Sequence, residues 1–259
     1  MPLRFSPSLP GFLLLQLVSP SPDFAATLQK KTLVGWERYV RLTEQRIERE
    51  LQQPMPDRPG ATVEITRMRT TDENGNRVTA EAGMIHHWKG VIFVPGVSLD
   101  TVLKFVQDYD HHDRFFKEVE KSKLVSRDGD TFRIFYRLRR HKVITVVYHT
   151  DHTVVYRRNG PGRASSRSMT TRISQLEDPG TGKEREKPPG QDHGFLWRLN
   201  SYWRFEQRDG GVTVSLESVS LSRTIPAVVA WLIRGFVESV PRESLLNTLT
   251  SLRDGVKQQ

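Results

Sequence analysis

The 259 residues carry 36 % hydrophobic and 27 % charged side chains and no cysteine, which is enough apolar material for a real core but too little for a membrane-embedded chain. Without cysteine there are no disulfides, thiolate zinc sites or cysteine nucleophiles, and the redox compartment stays open. The formal charge of +9 favours anionic partners such as lipid headgroups, nucleic acid or acidic polymers, although dispersed charge also serves solubility.

In chain order, residues 1–24 have one basic residue, Arg4, a short apolar run at 11–18 and then a Ser/Pro-rich stretch. The pattern is that of a weak signal peptide or of a disordered tail with one apolar run. Its apolar run is too short to span a bilayer, and Phe24 fits a small-residue cleavage site poorly. Export and retention in the cytoplasm both stay open. Residues 27–52 set Leu28, Val34, Tyr39, Leu42, Ile47 and Leu51 among charges and end at Pro54 and Pro56, predicting an amphipathic helix laid against the main domain. Residues 61–84 predict a hairpin: VEITRMRT alternates, ENGN supplies an Asn-Gly turn, and RVTAEAGM returns. Residues 25–84 thus form a helical and hairpin extension to a domain at 85–259.

That domain opens with HHWKGVIFVPG, a strand stopped by Pro95 and Gly96. SLDTVLKFVQDYD follows as a helix with Ser98 as its N-cap and Leu99, Val102, Leu103 and Val106 on one face. A second short helix covers 111–116. The runs FKEVEKSKLVS, TFRIFYRLRR, VITVVYHTDHTVVYRR and SSRSMTTRISQL read as an antiparallel meander. EDPGTGKEREKPPGQ is a solvated loop, and FLWRLNSYWRFEQ and VTVSLESVSL are two further strands joined by RDGG. A long apolar helical pattern closes the chain at 225–252, interrupted by Pro241. There is no internal repeat and no glycine pattern of a phosphate or dinucleotide loop.

Strand, two short helices, antiparallel strands and a long last helix resemble the START-like, or helix-grip, superfamily, which includes lipid-transfer domains, polyketide cyclases and quinone-binding proteins. VPGVSLDTVLKFVQDYDHHDRFF and SYWRFEQRDGGVTVSLESVSLSRTIPAVVAWLIRGFVESVPRESLLNTLTSLR carry the likeness, over residues 88–256. It implies an α+β helix-grip fold: a curved antiparallel sheet wrapped around the C-terminal helix, with a cavity between them for a lipid, quinone or other apolar molecule. The fold hosts many activities, so function has to be argued from the site.

The strands are compatible with such a cavity. Trp197, Leu199, Ser201, Trp203 and Phe205 alternate with Arg198, Asn200, Tyr202 and Arg204, and Phe132, Ile134, Tyr136 and Leu138 alternate with Arg133, Phe135, Arg137 and Arg139. Each strand therefore has one apolar and one polar face. Expected cavity-lining residues are Phe132, Ile134, Tyr136, Trp197, Trp203, Phe205, Glu217, Trp231 and Phe236, although any one of the large apolar side chains is more often plain core. Glu217 is the carboxylate to inspect first, with the outer sheet face as its ordinary place.

YDHHDRFF, residues 109–116, is expected to be a polar turn. His111 and His112 diverge by about 100° on a helix and do not share an ion, while Asp108 with His112 and Asp110 with Arg114 suit local i,i+4 pairing. His149 and Asp151 share a strand face, His152 points away, and His86 and His87 face opposite sides. No catalytic residue, metal or cofactor is assigned, and a GxSxG elbow is absent. The expected role is binding of an apolar small molecule or lipid. The alternatives are a cyclase- or hydrolase-like enzyme, which needs a polar cluster converging in the cavity, and a basic surface module. For the latter, Trp231 and Phe236 beside Arg223, Arg234 and Arg242 suit an anionic membrane. Nucleic acid has less support because the arginines are dispersed.

Overall fold

The structure is a computed structural model that describes residues 28–55, 60, 62–141, 145–224 and 227–258, with the backbone alone for 227–238. Residues 1–24 and the side chains of Trp231, Arg234 and Phe236 therefore lie outside the described residues. The elements are α1 (Lys30–Leu51), β1 (Glu64–Arg67), β2 (Gly83–Pro95), α2 (Leu99–Gln107), a 3-10 turn at Tyr109–His111, α3 (His112–Phe115), β3 (Val119–Asp128), β4 (Thr131–His141), β5 (Thr145–Arg158), β6 (Arg163–Glu177), β7 (Arg185–Glu186), β8 (Arg198–Arg208), β9 (Gly211–Arg223) and α4 (Ala227–Val256).

The strands pair throughout in antiparallel fashion, in the order β1-β2-β9-β8-β6-β5-β4-β3, with β7 on the end of β6. This is the expected curved α+β sheet gripping its last helix. Two-fold alternation gives it two chemically different faces. On the inner face, Ile92, Val94, Phe132, Ile134, Phe205, Val214 and Leu216 meet a helical stripe of α4 formed by Leu245, Leu249, Leu252 and Val256. Gly90 sits beneath Leu245 and Leu249, close enough that a Cβ there would collide with the leucine methyls. Ser98 caps α2 as expected, its Oγ accepting from the Thr101 N–H at 3.1 Å. That helix adds Val102, Phe105 and Val106 to the same core.

Helix α1 covers the outer face. Its buried stripe is Thr32, Trp36, Tyr39, Thr43, Ile47 and Leu51, whereas Val34 is 66 % exposed. The expected stripe erred there because two of the inward positions are threonines. Thr43 Oγ1 meets Thr70 Oγ1 at 2.7 Å, and Thr32 donates to the Glu81 carbonyl at 2.6 Å. The face expected to be solvated is thus closed over: Asn200, Tyr202 and Arg204 are buried.

Two further expectations change. The hairpin at 61–84 is reduced to its tip around the Asn-Gly turn, since β1 pairs instead with β2, Glu64 opposite Val91 through Arg67 opposite Trp88. The return segment leaves a single bridge, Thr71 to Arg77, and then sends Val78 and Ala80 into the cluster under α1. Burial of those two side chains overrides their strand pattern. At the other end of the chain α4 runs through Pro241 without a break. Proline costs the helix one internal hydrogen bond, and here its ring lines the inner cavity.

Candidate functional site

Between the inner sheet face and α4 lies a cavity of about 250 Å³. Its apolar walls come from every layer: Val106 and Phe116 from the α2–α3 region, Ile134 and Val154 from the meander, Trp203 and Leu216 from the last strands, and Val240 and Leu245 from α4. Three of the expected residues, Ile134, Tyr136 and Trp203, line it. Phe132 and Phe205 share the inner face but are packed into the core, Phe132 against Tyr109 and Tyr156, and Phe205 stacked on Trp203 at 5.8 Å.

Trp197 and Glu217 belong elsewhere. Trp197 precedes β8 and joins the cluster beneath α1. Glu217 is buried on the outer face, where Arg46 of α1 bonds it and His87 Nε2 lies 2.6 Å from its Oε1. His87 Nδ1 in turn meets the Tyr39 hydroxyl at 2.7 Å. Although burial favours the neutral acid, hydrogen bonding to His87 and the charges of His87 and Arg46 outweigh it and hold the Glu217 carboxyl below its ordinary range. This carboxylate clasps α1 to the sheet and has no part in the cavity.

YDHHDRFF is more than a polar turn. A 3-10 turn brings i and i+3 into line, so Asp108 pairs with His111 at 2.8 Å rather than with His112. Asp110 accepts the Leu124 N–H at 2.9 Å rather than facing Arg114. His112, freed from these pairings, turns inward and is buried in the cavity wall. Its Nδ1 is 2.7 Å from the Tyr136 hydroxyl, its ring lies nearly parallel to that of Tyr136, and Nε2 makes no hydrogen bond among the described residues. His152 stands edge-on to the same tyrosine, with Nε2 at 2.9 Å from Thr150 Oγ1 and Nδ1 at 3.3 Å from Ser168 Oγ. Both histidines are held at a pKa of about 4, chiefly by burial, and are neutral at physiological pH. Burial also pushes the Tyr136 hydroxyl well above its ordinary value.

Two other polar features face the cavity. Arg140, beyond Tyr136 on β4, is ion-paired to Glu118, whose other oxygen accepts from Asn247 Nδ2 at 3.0 Å. The second is a row of hydroxyls laid across the strands. Ser168 is opposite Ser201, and Ser201 is opposite Ser218. All three line the cavity. Neighbouring strands lie about 4.8 Å apart, so the row has that spacing. Serines in a strand give no signal on their own, and only the register between β6, β8 and β9 reveals it. His149 and Asp151 lie on the outer face, bound to Glu186 and Arg172. Among the described residues no group of three or more His, Asp or Glu is placed to hold a metal ion.

A family model for polyketide cyclases/dehydrases and lipid transport matches residues 95–247. Among solved structures, human StAR-related lipid transfer protein 5 is similar with a TM-score of 0.50 at 15 % identity, over 88 % of this chain and 98 % of that one. Human STARD10 gives a TM-score of 0.52 at 9 % identity, over 82 % and 78 %. The Zhui aromatase/cyclase of Streptomyces sp. R1128 gives 0.48 at 11 % identity, over 68 % and 95 %. Likeness at such identities is one of fold. Comparison with curated protein sequences finds no significant match. Because the family model spans more than half of the 259 residues, and the sheet, α4 and cavity are where the helix-grip order puts them, the chain belongs to the START-like family of polyketide cyclases/dehydrases and lipid-transport proteins.

Proposed function

We propose that the protein binds, and hands on unchanged, one molecule of a slender apolar compound carrying a few oxygen functions. The observation that carries this is the cavity itself, apolar on both the sheet and helix sides and crossed by one row of serine hydroxyls. Removing apolar ligand surface from water supplies affinity at roughly 25 cal/mol per Å². The hydroxyls and the Arg140–Glu118 pair fix orientation, as a few placed polar groups do in most ligand pockets. A volume of about 250 Å³ suits a single chain or compact ring system better than a two-chain lipid, since ligand pockets usually span about 300–1,000 Å³.

The enzyme alternative has one observation in its favour, the convergence of His112, Tyr136 and His152 in the wall. Their titration argues for binding instead. Efficient general acids and bases have pKa values near the working pH, whereas the histidines sit at about 4 and the tyrosine far above neutrality. Titration with fluorescent single-chain acyl and isoprenoid probes tests the proposal: one saturable site per chain is expected, lost when Ser201→Phe fills the cavity. Absence of saturable binding, or binding indifferent to Ser201→Phe, refutes it. Conversion of a bound probe to a product of different mass, abolished by His112→Phe while affinity persists, would establish the enzyme instead.

A further inference from the structure

Away from the cavity, the stretch RMRTTDENGNRVT, residues 67–79, carries three arginines at spacings that one ribbon brings to one face. Arg67 and Arg69 are two residues apart in extended chain, and the antiparallel bridge sets Arg77 opposite Thr71, two residues beyond Arg69. Residues opposite each other in an antiparallel pair share a face, as do i and i+2 along a strand, so Arg67, Arg69 and Arg77 project from the same side. The ribbon is held by Val78 N–H donating to the Thr70 carbonyl at 3.1 Å and by a turn in which Asp72 Oδ1 accepts from Asn74 at 3.1 Å and Asn76 at 2.9 Å.

All three arginines line a second pocket, of about 180 Å³, closed by Tyr39 of α1 and by the end of β2 from Gly83 to His86. Among the described residues none of the three forms an ion pair; Asp72, Glu81 and Glu217 are engaged by Arg38, Lys31 and Arg46, and Glu73, exposed on the turn, offsets only part of the arginine charge. Arg67 is further positioned over the Trp88 ring, 5.8 Å from its centre. A backbone donor joins them. The His87 carbonyl accepts from Met68 N–H at 2.9 Å, on the edge of β2 away from β9. Strand alternation turns the Ile85 N–H toward that same edge, where β1 no longer pairs.

We propose that this pocket is an anion site for a phosphate-type group, gripped by the guanidinium forks of Arg67, Arg69 and Arg77 and by the Ile85 N–H. Planar guanidinium groups match phosphate oxygens two at a time, and like charges gathered around one concavity repel unless an anion neutralises them. The neighbouring groups sense the same field: His86 is held at about 4 mainly by burial and additionally by Arg67, and Arg77 opposes the rise that burial imposes on Tyr39. His86 walls both this pocket and the inner cavity, yet the site stands whatever the cavity holds.

The test uses the full chain with inorganic pyrophosphate as probe in a calorimetric titration, beside flotation with phosphatidylcholine vesicles with and without phosphatidic acid. Arg67→Gln/Arg69→Gln/Arg77→Gln is compared with Lys121→Gln/Lys123→Gln/Arg133→Gln, which removes the same charge from exposed positions on β3 and β4 at the opposite end of the sheet. Matching thermal melts confirm that both variants are folded. Saturable pyrophosphate binding weakened at least about tenfold by the first variant and about twofold or less by the second supports the site. Vesicle binding that depends on phosphatidic acid and fails in the first variant alone assigns it to a lipid headgroup, and pyrophosphate binding without vesicle binding assigns it to a soluble phosphate. Equal loss in both variants, or no binding of either probe, overturns it.

Discussion

The Tyr136 hydroxyl, 2.7 Å from His112 Nδ1, ties strand β4 to the short helix α3 inside the cavity wall. Among the described residues His112 Nε2 has no hydrogen-bond partner, so the Tyr136 hydroxyl is the side-chain group that holds the ring. Tyr136→Phe should therefore cost about 1–3 kcal/mol, the usual penalty for leaving a buried polar group without its partner. His111, half-buried and paired with half-buried Asp108, should tolerate Ala with a loss of about 0.5–1 kcal/mol. Urea denaturation measures both. Equal losses would mean that the inward turn of His112 is not structural.

Neutral buried histidines also set a pH dependence. His86, His112 and His152 are held at about 4 in the fold against about 6.5 when unfolded. Between those values the unfolded chain binds more protons, so stability is full above about pH 6.5, falls as the pH drops toward 4, and levels off below. Each shift is worth roughly 3 kcal/mol, and three together rival a typical domain's stability of about 5–15 kcal/mol. Unfolding should thus begin above pH 4.5, before the Glu217 carboxylate is protonated, and His152→Gln should flatten the slope. A midpoint in urea that stays constant from pH 7 to 5 would contradict this.

What the sequence made legible, and what it hid, divides along physical lines. Periodicity and turn chemistry located the meander, the Ser98 cap and the long last helix, because these features depend on neighbours a few residues apart. Relations between distant strands were not legible. Glu217 was recognisable as an unusual carboxylate, but its partners Arg46 and His87 lie 171 and 130 residues away, and nothing local places them on the outer face. His112 was hidden for a similar reason. Its sequence surroundings are polar, and burial comes from Tyr136 and Phe116 folding over it. The serine row exists only as a register between strands.

Removing one member of a buried ion pair leaves a desolvated charge, at a cost of about 3–5 kcal/mol. Glu217→Ala takes the partner from buried His87, while part-buried Arg46 keeps Glu50, so the protein should lose about 3 kcal/mol, the lower end of that range. Since Glu217 faces α1 and not the cavity, affinity for an apolar probe under folding conditions should change by less than about twofold. Paired urea denaturation and probe titration separate the two effects, and a large affinity loss at unchanged stability would place Glu217 in the ligand site after all.

Gly90 faces Leu245 and Leu249 with no room for a Cβ. Gly90→Ala should therefore push α4 from the sheet and cost about 1–3 kcal/mol, as overpacking does, even though alanine is the better strand residue. An unchanged melting temperature would show that the helix adjusts without strain, and that its grip on the sheet is loose.

The serine row makes the sharpest demand on the ligand. Ser201 and Ser218 face the cavity on adjacent strands, and covering either hydroxyl with plain hydrocarbon forfeits its hydration without a replacement bond, at about 1–3 kcal/mol. A ligand whose own oxygens meet them avoids that loss. The double variant Ser201→Ala/Ser218→Ala should bind an unsubstituted fatty acid more tightly by several-fold, and a hydroxylated or keto chain of equal length more weakly by about tenfold, which corresponds to about 1.4 kcal/mol. The opposite signs are the diagnostic, because a variant that merely loosened the fold would weaken both probes together. If both affinities move in the same direction, the hydroxyls do not read the ligand, and the cavity selects by shape alone.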